Sequence, residues 1–397
     1  MLSLDSVYRA SYVLKDVLRS TELIRAPKLN SESDIYLKPE NLQITGSFKV
    51  RGSYYKISQL SAEEKARGVI ACSAGNHAQG VALAATRSGA KSIICLPDCA
   101  PISKVEATRA YGAEICMVTG AYDDAYEKAL QLRDEFQYTF IHPFDDEQVI
   151  AGQGTLGLEI LNQMPDVEAV VTAVGGGGLL SGVAYVIKNL RPEVKIYGVQ
   201  ATGAASMVNS VHDAHIERLE SVSTIADGIA VKQPGNLTFE FCKQYADDIV
   251  TVTDDEISSA ILAMIENQKL IAEGAGAAPV AAAMFNKIPI KGKKTVCLVS
   301  GGNIDVTILS RIITRGLMKT GRYGAMQIEL VDKPGQLEGV ASIIARMGGN
   351  VVSIHHERSS ETADVNGCYL RIVMETRNFD HFTEIRNALI AGGYKIC

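Results

Sequence analysis

No stretch of the chain approaches the ~20 consecutive apolar residues of a membrane span, so none is expected. Nor is there a basic excess. The 39 Lys and Arg face 45 Asp and Glu, and a net charge of −6 leaves no electrostatic footprint for nucleic acid. The eight cysteines, at 72, 95, 99, 116, 242, 297, 368 and 397, include no CxxC pair and read as reduced core or surface thiols of a cytoplasmic protein. The opening MLSLDSVYRASYVLKDVLRS alternates charged and apolar side chains and lacks a signal peptide's apolar core. His212 and His215 lie three apart, but no carboxylate or cysteine partner gives them a metal-site pattern; they read as a solvated helix face, and no metal is expected. What is left is an ordinary α/β balance, 47% hydrophobic and 21% charged. Its 397 residues suffice for two or three domains at about 100–200 residues each.

Against this ordinary background one stretch stands out, Asn41–Tyr55 (NLQITGSFKVRGSYY). Thr45, Gly46 and Ser47 are placed to cap a helix, because a Ser or Thr oxygen satisfies N–H groups of a first turn. Phe48 and Lys49 then fall inside that turn, where the helix dipole favours a neutral amine. A neutral amine attacks a carbonyl and an ammonium does not. A surface lysine on a helix is the competing reading. Around this stretch, residues 4–20 read as an amphipathic helix and Ile35–Leu37 as a short strand. Strands are then expected at Val69–Ser73, Ser92–Leu96, Glu114–Val118, Tyr138–Ile141, Ala169–Val174, Ile196–Gln200, Asp248–Val252 and Thr295–Val299. Helices are expected between them, over Ala78–Ser88, Pro101–Tyr111, Tyr122–Phe136, 152–163, 254–270 and 276–286. Repeated βα units predict a mostly parallel, doubly wound sheet whose ligands sit at the carboxyl ends of the strands.

Three strand-end loops carry the chemistry. Ser73-Ala74-Gly75-Asn76-His77 combines small residues, which let backbone N–H groups approach a ligand, with a helix N-terminus that favours an anion such as a carboxylate. A tight βα turn is the other reading. Gly175-Gly176-Gly177-Gly178-Leu179 follows the buried VVTAV and leaves only backbone amides to a ligand, a phosphate cradle at a helix N-terminus. It fits neither G-x-G-x-x-G nor a P-loop, so a single phosphate suits it better than a dinucleotide or a nucleoside triphosphate. A flexible linker is the alternative. Ser300-Gly301-Gly302-Asn303 follows TVCLV and puts a hydroxyl at a strand end, in reach of a ring nitrogen; a plain turn competes. A neutralised lysine, a lone-phosphate cradle and a strand-end serine together describe a site for pyridoxal 5′-phosphate (PLP).

The motifs Gly46–Gly52 (GSFKVRG), Ser73–Gly80 (SAGNHAQG), Gly175–Leu179, Asp227–Val231 (DGIAV) and Ser300–Asn303 resemble the threonine dehydratases, or threonine ammonia-lyases. These belong to the tryptophan-synthase-β, or fold-type II, group of PLP enzymes. The resemblance spans about residues 5–318. It implies that Lys49 holds PLP as a Schiff base and, when freed, removes the substrate's α-proton. Phe48 would pack on the cofactor ring, Asn76 contact the ring hydroxyl, Gly175, Gly176, Gly177, Gly178 and Leu179 hold the phosphate, and Ser300 meet the pyridine nitrogen. Ser73, Ala74, Gly75, Asn76 and His77 would receive the substrate, and Ala272–Gly276 (AEGAG) would wall the cofactor pocket. A hydroxyl at 300 would not keep the pyridine nitrogen protonated, which favours prompt β-elimination. Two departures separate the chain from serine racemases of the same group. Those carry a serine acid/base where this chain has Ala74, and bind a divalent cation through carboxylates in the stretch matching Gln200–Ser206, where QATGAAS offers none. Activity is therefore expected to survive EDTA.

From about Arg315 a polar, glycine-punctuated connector (RGLMKTGRYG) is expected. After it come strand Ala325–Val331, helix Gln336–Met347, strands Asn350–Arg358 and Gly367–Glu375, helix Phe379–Ala391 and a stub strand Tyr394–Cys397, a ferredoxin-like βαββαβ order. The segment resembles an ACT domain, with Asp332, Pro334, Gly335 and Leu337 at the loop where that family takes amino-acid effectors; a structural dimerisation domain is the alternative. The expected fold is thus α/β throughout: a catalytic domain, 1–318, of two doubly wound parallel-sheet subdomains, the smaller (about 44–142) inserted in the larger, then a linker, 319–324, and the ACT domain, 325–397. The expected function is PLP-dependent deamination of L-threonine to 2-oxobutanoate and ammonia, extending to L-serine, under amino-acid effector control, in a cytoplasmic homotetramer. Serine dehydratase or racemase activity, β-replacement, and a catalytically idle amino-acid sensor remain as alternatives.

Overall fold

The computed structural model describes residues 2–358 and 367–397. Its contacts divide the chain into two compact units, one ending at Asp305 and the other Val306–Cys397. Among the described residues no helix is long and apolar enough to cross a membrane.

The first unit holds two sheets. The larger runs in the order Ile24–Arg25, Asp34–Pro39, Lys294–Val299, Ala169–Ala173, Lys195–Ala201, Asp248–Val252, parallel except for its first strand. The smaller runs Glu114–Val118, Ser92–Pro97, Val69–Cys72, Thr139–Phe140, all parallel. Helices cover both faces of the central strands, which is why Ala169–Ala173 (AVVTA) is buried at every position. The smaller sheet is an insertion: the chain leaves the larger after Pro39 and returns along helix Glu147–Gln163. That helix begins ahead of the expected position 152 because Asp146 caps it, its carboxylate accepting from the N–H groups of Gln148 and Val149. It crosses helix Lys49–Ser58 at glycines, where a Cβ on Gly152 would lie 2.6 Å from the Gly52 Cα. This backbone-to-backbone contact fixes the first turn of the lysine helix.

Below that turn lies a buried charge network. Arg51 meets Glu40 at 2.7 Å and Glu159 at 2.5 Å, and Lys38 meets Glu159 at 2.7 Å and the Thr21 carbonyl at 2.6 Å. Each cation is desolvated and is balanced by a paired carboxylate, so removing one partner alone would strand a buried charge.

Some local expectations are overturned. The first helix stops at Leu14 rather than running to 20. Helices Ala62–Arg67, Ser206–His212 and Asn236–Tyr245 were not foreseen. The first half of the stretch expected as a connector closes helix Val306–Lys319, and a strand already begins at Tyr323. The repeat of Ile308, Leu309, Ile312, Ile313 and Leu317 has helical period, and outweighs Gly316.

The second unit is a four-stranded antiparallel sheet in the order Asn350–Glu357, Gly367–Glu375, Tyr323–Val331, Lys395–Ile396. Helices Gln336–Arg346 and Phe379–Ala391 press Val340, Ile344, Ile385 and Leu389 onto Ile328, Leu370 and Ile372. Each such side chain contributes roughly 1.5–3 kcal/mol on burial, and together they give the unit its own core.

Candidate active site

Lys49 is the first residue of its helix, but the expected serine and threonine caps are not formed. The Ser47 hydroxyl is buried without a hydrogen-bond partner and Thr45 Oγ1 turns to the Ser47 carbonyl. The turn is held instead by the strand-end loop: Ser47 bridges Gly301, and the Phe48 N–H donates to the Ser300 carbonyl at 3.0 Å. This non-local pairing replaces the local cap and puts Phe48, Lys49 and Ser300 in one place. The Lys49 amine donates to the Pro143 carbonyl at 2.8 Å and lies 5.4 Å from the Phe48 ring centre. Burial pushes it down to about 8, against the upward pull of Glu273.

A polar chain closes the opposite wall. Asn303 donates to Asn76 Oδ1 at 2.7 Å and to the Thr45 backbone carbonyl at 2.8 Å, and Asn76 Nδ2 donates to Glu273 at 2.6 Å. Asn76 is therefore oriented from both ends. Burial, then the charge of Asp227, pushes Glu273 up to about 7. Asp227 is in turn ion-paired with Lys104, on helix Ile102–Ala110 beside the smaller sheet, so the charge balance at Glu273 depends on both subdomains.

The glycine loop sits between strand Ala169–Ala173 and helix Gly178–Leu190. Gly177 has φ +100°, a left-handed conformation that glycine adopts without strain. A Cβ on Gly176 would collide with the Phe144 ring, and one on Gly178 would stand 2.9 Å from the Phe144 Cα. Packing thus forbids side chains at the back of the loop. At its front the first N–H groups of the helix have no intrahelical acceptors, the arrangement that suits an anion. The segment that supplies Phe144 also supplies Pro143 to Lys49. It then supplies Asp145, whose carboxylate accepts from the N–H groups of Asn236, Leu237 and Thr238 at 3.0–3.1 Å.

The loop after Val69–Cys72 brings Ser73, Ala74 and Gly75 to helix Asn76–Arg87; Ser73 Oγ accepts from the Gly75 N–H, and a Cβ on Gly75 would meet open space. His77 departs from expectation. Its ring is buried, with Nε2 2.8 Å from the Ile141 carbonyl and Nδ1 3.4 Å from Ser53 Oγ, and burial holds it neutral, down to about 3. Its side chain is committed to the interior, so only its backbone can serve the loop. Glu273, Asn303, Pro143 and Phe144 were missed as individual site residues. The signal for Glu273 was present: it is the one charge between Lys269 and Lys287, inside a run of small apolar residues.

These residues fit pyridoxal 5′-phosphate. An amine of lowered basicity, a side-chain-free helix N-terminus and open space at Gly75 lie around Asn76 and Ser300. In the second unit, Asp332, Pro334, Gly335 and Leu337 line a cavity of about 450 Å³.

A family model described as pyridoxal-phosphate dependent enzyme matches residues 14–302. The chain is similar to the L-threonine ammonia-lyase of Thermotoga maritima, at 48% identity over 100% of this chain and 99% of that protein. It is similar to that of Geobacter sulfurreducens, at 42% over the same shares. Among solved structures, the processed threonine deaminase isoform 2 of Solanum lycopersicum has 40% identity and a TM-score of 0.74, covering 78% of this chain and 88% of that one.

Proposed function

The chain belongs to the family of pyridoxal-phosphate dependent enzymes, among the threonine ammonia-lyases, and on that premise we propose how its residues divide the work. The reaction is the PLP-dependent deamination of L-threonine to 2-oxobutanoate and ammonia, a lyase chemistry. PLP, when bound, supplies the electron sink. Lys49 would hold it, with Phe48 against its ring, Asn76 at the ring hydroxyl, Ser300 at the ring nitrogen and Gly175–Leu179 at the phosphate. Ser73, Ala74, Gly75, Asn76 and the backbone of His77 would receive the substrate carboxylate. The freed Lys49 amine takes the α-proton, a task suited to a base with a value near 8. Glu273 holds the Asn76 amide in place.

We extend the reading to L-serine, which shares the amine, carboxylate and β-hydroxyl. Ala74 offers no acid/base group for racemisation. In the stretch where racemases hold a cation, Gln200 caps helix Ser206–His212, accepting from the N–H groups of Met207 and Val208 at 2.9 Å, and Ser206 donates to the Val231 carbonyl. The second unit is proposed as an ACT regulatory domain taking an amino-acid effector at Asp332, Pro334, Gly335 and Leu337, in a cytoplasmic homotetramer. The observation that carries the catalytic reading is a half-buried lysine amine bonded to a carbonyl rather than to a carboxylate. Its test is an absorbance band near about 410–420 nm, together with 2-oxobutanoate formed from L-threonine, with and without isoleucine. A band without turnover would turn the reading to a sensor; inhibition by isoleucine would support feedback control.

A further inference from the structure

Outside the catalytic unit three metal-ligating side chains converge. Asp332 follows strand Tyr323–Val331, His356 lies near the end of strand Asn350–Glu357, and Cys368 is the second residue of strand Gly367–Glu375. The sheet register makes them neighbours. Cys368 pairs with Leu330, two residues before Asp332, and His356 pairs with Leu370, two residues after Cys368. Because side chains alternate across a strand with period two, Cys368 and His356 lie on one face, and Asp332, one residue past the end of its strand, stands beside them. His356 Nε2 is 3.0 Å from Cys368 Sγ, and one donor atom of each residue lies within 4.8 Å of the others. All three line the same cavity.

We propose that Asp332, His356 and Cys368 form a zinc-binding site. The donor set is one thiolate, one imidazole and one carboxylate. That combination selects a borderline-soft cation over magnesium or calcium, which take oxygen donors. Zinc bonds of about 2.0–2.3 Å at tetrahedral angles need donor separations of about 3.3–3.8 Å. The observed spread, from 3.0 Å to at most 4.8 Å, brackets that range. Three protein donors leave the fourth position to water or to a ligand in the cavity, as in open zinc sites. On binding, the Cys368 thiol releases its proton to solvent, and the thiolate and carboxylate together balance the dication. The neighbouring cation Arg358 pairs with Asp332 at 3.2 Å, but its side chain is 67% exposed and yields at little cost. A bound ion would tie the Asp332 loop to two strands of the sheet.

The test uses the full-length holoenzyme, reduced, freed of any affinity tag and stripped of metal. It is titrated with zinc chloride and, separately, with cobalt chloride. One zinc per chain is expected to remain after gel filtration, measured by mass spectrometry of the metal. Cobalt should give the visible d–d bands of a four-coordinate thiolate site, at longer wavelength than the cofactor. Losing a group that merely supports a ligand weakens metal binding 10–100-fold, so H356A and D332A are each expected to weaken it by about a hundredfold or more. Both side chains are exposed, so these variants keep the fold even if C368S does not. C99S/C397S, which removes the two exposed thiols, is expected to keep one zinc. No retained zinc, unchanged binding in H356A and D332A, or zinc lost in C99S/C397S would overturn the assignment.

Discussion

Two cations on the first turn of helix Lys49–Ser58, one buried and one half-buried, sit in opposite surroundings. Arg51 faces Glu40 and Glu159 and is held by two-pronged contacts. Lys49, two residues earlier, faces a backbone carbonyl and an aromatic ring. Arg51 is fully buried and Lys49 half-buried, yet only the lysine is pushed down into the range where an amine is a base near neutral pH. Burial alone does not make a reactive lysine; burial without a bonded carboxylate does. The arginine side supplies the rigidity that lets the lysine side remain unpaired.

Four substitutions test this contrast, in falling order of effect. K49A removes the reactive side only: turnover on threonine is expected to fall by at least about 10⁴-fold, the upper end for a positioned proton-transfer group, while the thermal midpoint holds. A residual activity within tenfold of wild type would end the assignment. R51M removes the other side and strands Glu40 in the interior; an unfolding free energy lower by about 3–5 kcal/mol is expected in denaturant titrations. E273Q is milder, with kcat lower by about tenfold, below the span for a direct proton-transfer group. Glu273, raised from 4.5 to about 7, keeps a proton in the folded chain that the unfolded chain loses. Its stabilising contribution is complete below about pH 4.5 and lost as pH rises through about 7, so E273Q should flatten stability against pH across that window. S300D puts a carboxylate where the lysine side has none; elimination should slow and by-products such as transamination should appear. An unchanged product ratio would refute that expectation.

Legibility in the sequence followed distance along the chain. Strands such as Asp248–Val252 and helices such as Tyr122–Phe136 stand where local pattern puts them, because apolar period and turn residues act over short range. The residues assigned to the cofactor lie on loops whose glycines are visible in the primary structure. What stayed hidden was made by pairing. The caps expected from Thr45 and Ser47 lost to a bridge with Gly301, and Phe144 earns its place only through glycines more than thirty residues on. Asp332, His356 and Cys368 have no recognisable spacing; strand register and the bend after Val331 unite them.

The bridge from Ser47 to Gly301 also has a consequence in time. The ribosome releases Lys49 early, but the strand-end loop that locks its turn emerges roughly 250 residues later, about 10–50 s at ordinary elongation rates. Until then strand Asp34–Pro39 lacks its parallel partner Lys294–Val299. The smaller sheet, whose pairings are local, can form while the chain waits. Chemistry therefore arrives as the last act of synthesis of the catalytic unit, when a single loop closes over an amine that has been present almost from the start.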